Sequence, residues 1–204
     1  IVDDLPALMN IDPGRCLRQH AGHGKPLFPT FEPRGRNMNI VLIGYRGTGK
    51  SVVGKRVAEV LGREYVGLDA AIVDLAEQSI PEVVAAHGWD HFRDLESEVV
   101  RQASERDNCV LDTGGGAILR DANVAHLKQN GTLIWLQSSV ADIVARIGDD
   151  NQRPSLTGTK SFTEEVEDVL AERTPKYAAA ADHVIDDHGL SIEEVAQKVI
   201  ALLS

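Results

Sequence analysis

Hydrophobic and polar positions alternate between two periods along this chain. Asn39-Ile40-Val41-Leu42-Ile43 is a short apolar run rich in β-branched residues, the pattern of a strand buried on both faces. Val52, Val53, Val57, Val60 and Leu61 then recur at helical spacing, with Lys55, Arg56 and Glu59 between them, and Gly62 stops the helix. Glu64 to Leu68 predicts a second strand ending at Asp69, and Ala70 to Gln78 a short helix. Ser79-Ile80-Pro81-Glu82 carries a capping-box signature, and the helix it opens should break at Gly88 and resume from about Asp90 to Ser104. Asn108 to Asp112, Thr132 to Leu136 and His183 to Ile185 predict the third, fourth and fifth strands. Helices are predicted over 121–130, 139–147, Thr163–Ala180 and Ile192–Leu203, with Pro175 kinking or breaking the third of these. Five strands separated by helices imply an open, largely parallel sheet covered on both faces.

The first 37 residues differ. They hold five of the eight prolines and four glycines without sustained periodicity, the composition of a flexible extension, and the folded unit is expected to begin at Met38. Asp149 to Lys160 is polar and contains Gly and Pro, which suits a lid over about 149–160.

Between the first strand and first helix lies Gly44-Tyr45-Arg46-Gly47-Thr48-Gly49-Lys50-Ser51, the G-x-x-x-x-G-K-S pattern of a phosphate-binding loop. Its flanks are the ones the mechanism needs. Backbone N–H groups of Gly47, Thr48, Gly49, Ser51 and Val52 can turn toward a phosphate at the positive end of the helix. Lys50 reaches the outer phosphates and the Ser51 hydroxyl suits Mg²⁺. Asp69 and Asp112 each close a strand, and Gly114-Gly115-Gly116 follows the third, where a ligand would lie against bare backbone. These groups should gather at one edge of the sheet.

Composition narrows the partners. Of 204 residues, 25% are charged and 43% hydrophobic, ordinary for a globular protein, and the net charge of -10 argues against a general nucleic-acid binder. An anionic substrate therefore needs its own arginines or lysines. Cys16 and Cys109 are far apart, which suggests no disulfide framework and a reducing cytoplasm, with Cys109 a small core residue. No apolar run approaches the ~20 residues of a membrane span. His87 and His91 share a helical spacing, but Gly88 interrupts it and no third metal ligand is evident. Arg93 and Glu96, three apart, can face the same way; alone they read as a surface ion pair.

Taken in order, the phosphate loop, Asp69, Phe92-Arg93-x-x-Glu96, the triple glycine, Arg153-Pro154 and Arg173-x-Pro175-x-Tyr177 resemble the shikimate kinases, over about Met38 to Ser204. The resemblance implies a three-layer α/β/α fold of the nucleoside-monophosphate-kinase-like phosphate-loop group: a five-stranded parallel sheet, a substrate-binding helical region and a lid. It implies transfer of the ATP γ-phosphate to the 3-hydroxyl of shikimate, with Mg²⁺, on the route to chorismate and the aromatic amino acids. It assigns Arg93 and Arg173 to the shikimate carboxylate, Asp69 to the ring hydroxyls and as base, and Gly114, Gly115 and Gly116 to the ring. Glu96 would orient Arg93, Lys50 and Arg153 would neutralise phosphoryl charge, and Arg146 would pack on adenine. The family is often monomeric. Two departures stand out. Gly67 occupies a position where the family commonly has an aspartate near Mg²⁺, and Asp112 stands where it commonly has a small residue. Asp112 is therefore expected to take over that role beside Ser51. Ser155 replaces a leucine common after Arg-Pro. Two alternatives stay open at this point: another small-molecule kinase of the same fold, acting on gluconate or a nucleoside monophosphate, and a non-catalytic nucleotide-binding module.

Overall fold

The computed structural model describes residues 38–147 and 162–203. The expected N-terminal extension, the lid over 149–160, Arg153 and Ser155 lie outside the described residues.

Five strands, β1 (Asn39–Ile43), β2 (Glu64–Gly67), β3 (Cys109–Asp112), β4 (Gly131–Gln137) and β5 (His183–Asp186), form one sheet in the order β2-β3-β1-β4-β5. Every pairing is parallel. β1 lies at the centre, so all five of its residues are buried. That is why its sequence is a continuous apolar run rather than an alternation. Each fully buried Ile, Val or Leu there contributes roughly 1.5–3 kcal/mol of transfer free energy, so a charge at Val41 would break the sheet at its middle.

The helices are α1 (Lys50–Leu61), α2 (Leu68–Ala76), α3 (Ile80–Ser104), α4 (Asp121–Gln129), α5 (Val140–Ile147), α6 (Phe162–Ala180) and α7 (Ile192–Ala201). α1 packs against α7. Their Val53, Val57, Val195 and Val199 meet Ile40, Leu42, Val110 and Ile134 of the sheet in one apolar cluster. On the other side α4 and α6 pack on β4, and α3 on α4. The third helix opens as expected: the Ser79 hydroxyl accepts from the Glu82 N–H at 3.4 Å, and the Glu82 carboxylate accepts from the Ser79 N–H at 2.8 Å. α7 has the same reciprocal cap, Ser191 with Glu194, which sequence reading passed over.

Three expectations change. Leu68 and Asp69 do not end β2; they form the first turn of α2, because the chain turns helical directly after Gly67. Gly88, with φ 82° and ψ 173°, kinks α3 between its arms without a separating loop. Pro175 neither breaks α6 nor ends it. Buried side chains on both sides of that proline, Val166 and Val169 before it and Tyr177 and Ala180 after, hold the helix against the core and offset the lost hydrogen bond.

Candidate active site

The phosphate loop, Asp69, Asp112 and the triple glycine stand at or just after the C-terminal ends of β1, β2 and β3, so the sheet delivers them to one edge, and α3 and α6 bring Arg93, Glu96 and Arg173 to the same place. The loop after β1 turns at Gly44, whose φ of 145° and whose distance to the Leu136 carbonyl (a Cβ would sit 2.6 Å away) leave room for glycine alone. Thr48 ties the loop by donating its hydroxyl to the Tyr45 carbonyl at 2.8 Å. Lys50 is buried, and its ammonium donates to the carbonyls of Gly44 at 2.9 Å and Tyr45 at 2.8 Å.

A wide cleft lies over this loop. Gly47, Thr48, Gly49, Lys50, Ser51 and Val52 line it, together with Asp112, Arg146 and Asp187. Arg146 is held at its rim: the guanidinium donates to Asp187 at 2.6 Å and to Ser138 at 3.1 Å. Asp112, buried at the end of β3, accepts on one oxygen from the Ser51 hydroxyl at 2.6 Å and from the Tyr65 phenol at 2.7 Å. Burial first, then the Asp112 anion beside it, push the Tyr65 pKa well up, so the phenol remains a donor.

A second, smaller cleft is built by Asp69, Arg93, Glu96, the three glycines and Arg173, walled by Trp89 and Phe92. Arg93 lies 4.9 Å from the Phe92 ring centroid and donates to Glu96 at 2.6 Å. Glu96 is 1% exposed and Arg93 half-buried, so this pair is anchored on a buried carboxylate and is not the surface pair its spacing alone suggests. Burial raises the Glu96 pKa, with the Arg93 guanidinium opposing that shift. The glycines leave space that side chains already fill. A Cβ on Gly114 would lie 2.6 Å from the Asp69 carboxylate and 3.0 Å from that of Glu96, and one on Gly116 would fall on the Arg93 guanidinium. The Gly115 carbonyl accepts from Arg173 at 3.2 Å and from the Tyr177 hydroxyl at 2.5 Å. Arg46, Asp69 and Gly115 line both clefts, so the two meet there.

Among the described residues the structure thus brings together Lys50, Ser51, Val52, Asp112 and Arg146 in one cleft, and Arg93, Glu96, Gly114, Gly116 and Arg173 in the other, with Asp69 between. Arg153 lies outside them. Tyr65 and Trp89 were missed by motif reading, and Tyr177, part of the Arg173-x-Pro175-x-Tyr177 motif, was given no role of its own. Tyr65 alternates with Gly67 on one face of β2, a signal the sequence carries without saying what lies opposite. No group of three His, Cys, Asp or Glu side chains among the described residues could by itself hold a metal. One carboxylate and one hydroxyl beside a phosphate loop do fit Mg²⁺, which takes few protein ligands and completes its shell with water and phosphate oxygens.

Comparison with known proteins points to one family. The family described as "Shikimate kinase" matches residues 46–204. A shikimate kinase of Nitratidesulfovibrio vulgaris is 44% identical over 149 residues, 72% of this chain and 85% of that protein. Shikimate kinase 2 of Photorhabdus laumondii is 40% identical over 166 residues, 80% of this chain and 94% of that protein. Among solved structures, shikimate kinase from Acinetobacter baumannii in complex with shikimate superposes with a TM-score of 0.78 at 34% identity, covering 82% of this chain and 93% of that one.

Proposed function

The chain belongs to the shikimate kinase family, and from that premise we propose that it phosphorylates the 3-hydroxyl of shikimate with ATP, giving shikimate 3-phosphate and ADP. The observation that carries this reading is the meeting of the two clefts at Asp69, Arg46 and Gly115. Phosphoryl transfer needs the acceptor oxygen and the γ-phosphorus roughly 3–3.5 Å apart and in line. A wall shared by a nucleotide cleft and an acceptor cleft supplies that approach.

In this reading the ATP phosphates lie over Gly47 to Val52 with adenine toward Arg146. Lys50 exchanges its two carbonyl partners for phosphate oxygens. Arg93 and Arg173 hold the shikimate carboxylate, and Glu96 fixes the direction of Arg93. The substrate oxygen attacks the γ-phosphorus as the bond to the β,γ-bridging oxygen breaks, and its proton passes to the Asp69 carboxylate. Arg153 neutralises phosphoryl charge alongside Lys50. Ser51 and Asp112 would hold Mg²⁺, which supplies charge neutralisation on the phosphate oxygens. The paired Arg93 and Arg173 around one small cleft suit a carboxylate acceptor over a nucleoside monophosphate, and the Phe92-Arg93 and Arg173-x-Pro175-x-Tyr177 motifs that carry them speak for shikimate over gluconate, which has a carboxylate too. We also place the enzyme in a reducing cytoplasm as a monomer acting on small molecules, with neither nucleic-acid nor membrane partners. The net charge of -10 supports the first exclusion, and among the described residues no helix is long and apolar enough to cross a membrane.

The test is ADP release from MgATP by the full chain, with and without shikimate. Shikimate-dependent release, lost in Arg93→Ala and in Asp69→Asn, is expected. Release independent of shikimate would overturn the acceptor assignment and leave the nucleotide assignment standing.

A further inference from the structure

We propose that Tyr65 is a positioning residue for the Asp112 carboxylate, its phenol standing in the space that Gly67 leaves open beside it. The inference rests on the reading of Asp112 as the carboxylate that holds the divalent cation.

Register explains the arrangement. Gly67 of β2 is the direct partner of Asp112 of β3, and Tyr65, two residues earlier, projects to the same face as Gly67. That face is turned to the start of α1, since the Ser51 hydroxyl reaches Asp112 from there. Asp112 accepts both of its hydrogen bonds, from Tyr65 and from Ser51, on the same oxygen, Oδ2. Two donors on one oxygen fix the plane and the rotation of the carboxylate. Among the described residues no hydrogen bond occupies Oδ1, and Asp112 lines the nucleotide cleft.

The phenol is itself confined. Its ring packs against Gly54 of α1, where a Cβ would stand 3.1 Å from the ring edge, and the Lys55 ammonium lies 5.6 Å from the ring centroid. At Gly67 a Cβ would meet the Tyr65 hydroxyl oxygen at 3.3 Å, tighter than ordinary contact. An aspartate at 67 would therefore press its carboxylate into the phenol and against the Asp112 anion one strand away. A tyrosine at 65 with glycine at 67 and aspartate at 112 forms one compatible set. A phenylalanine at 65 with aspartate at 67 and alanine at 112 forms a second set, with the carboxylate moved one strand across.

The experiment measures Mn²⁺ binding to the full chain with saturating ADP, read from the electron paramagnetic resonance of free Mn²⁺, beside the Mg²⁺ dependence of turnover and the KM for shikimate. Tyr65→Phe keeps the ring and should weaken Mn²⁺ binding roughly 10-fold, the usual scale for removing a residue that orients a metal ligand, with the shikimate KM unmoved. Asp112→Ala should weaken it further. Gly67→Asp alone should bind poorly, whereas Tyr65→Phe/Gly67→Asp/Asp112→Ala should recover. If Tyr65→Phe binds Mn²⁺ as wild type does while Asp112→Ala does not, the role of Tyr65 is overturned and that of Asp112 stands. If Asp112→Ala is also unchanged, the cation reading itself fails. If Gly67→Asp alone binds as well as the triple variant, the two residues do not compete for space and the exchange is refuted.

Discussion

Gly116→Ala isolates the carboxylate clamp from the fold. The Gly116 backbone, at φ −106° and ψ −2°, is open to any L-residue, so alanine brings no backbone strain. What its Cβ meets is the Arg93 guanidinium, the far end of a flexible side chain, and nothing closer in the backbone. The protein should therefore fold, with Arg93 displaced from its 2.6 Å bond to Glu96. A charge-assisted hydrogen bond is worth about 1.5–3 kcal/mol, so losing the Arg93 contact should raise the KM for shikimate roughly 10- to 100-fold. The ATP KM should hold, because the nucleotide cleft is lined without Arg93. The assay is ADP release at saturating MgATP across a shikimate titration, paired with a urea melt. Arg93→Ala and Gly116→Ala/Arg93→Ala complete a cycle: once Arg93 is gone, the alanine at 116 has little left to displace, and the second change should add almost nothing. A folded Gly116→Ala enzyme with unchanged shikimate KM would refute the clamp. Fully additive effects in the cycle would refute the collision as its cause.

Arg93→Ala also removes the partner of a buried carboxylate, a change that costs about 3–5 kcal/mol when the remaining charge stays ionised. Burial already raises the Glu96 pKa, and without the guanidinium it rises further. A raised folded-state pKa stabilises at low pH and is lost as pH climbs through it. The stability deficit of Arg93→Ala against wild type should thus be larger at pH 8 than at pH 5 in urea melts; an equal deficit would mean that Glu96 does not carry it. Tyr177→Phe deletes a buried donor to Gly115 and should lower stability by about 1–2 kcal/mol, measured by thermal unfolding, while leaving the Arg173 contact to the same carbonyl in place.

The parts of this molecule written in adjacent residues were legible in the sequence. The phosphate loop, the Ser79 cap and the central strand each depend on neighbours within a few positions, so their patterns announce them. Pro175 does not break α6, because its local cost is offset by packing on either side of it, which no window of sequence contains. The Arg93–Glu96 spacing is visible on paper, but its burial comes from the glycine turn after β3 closing over it. Tyr65 was invisible for a stricter reason. Its meaning depends on the register between β2 and β3, which places Gly67 against Asp112, and register between partners 45 positions apart in sequence is not written in either strand. The departure at Gly67 was noticed, and so was Asp112, yet what connects them is a hydroxyl on a third residue.

The strand order has a consequence for how activity is acquired during folding. β1 pairs with β3 and β4, neither of which is its neighbour in sequence, and β4 in turn must receive β5. Parallel pairings of this kind close long loops before contacts offset the entropy, which slows them. The phosphate loop hangs between β1 and α1, so it has no fixed anchor until β3 and β4 have settled on either side. Trp135 sits on β4 and stacks on Tyr177 of α6 with ring centroids 5.6 Å apart, reporting the later half of that assembly. In a refolding experiment on Trp89→Phe, which leaves Trp135 as the single tryptophan, the nucleotide site should therefore mature together with the Trp135 environment, late and cooperatively, and a chain interrupted before β4 should capture no ATP even though every residue of its loop has been made.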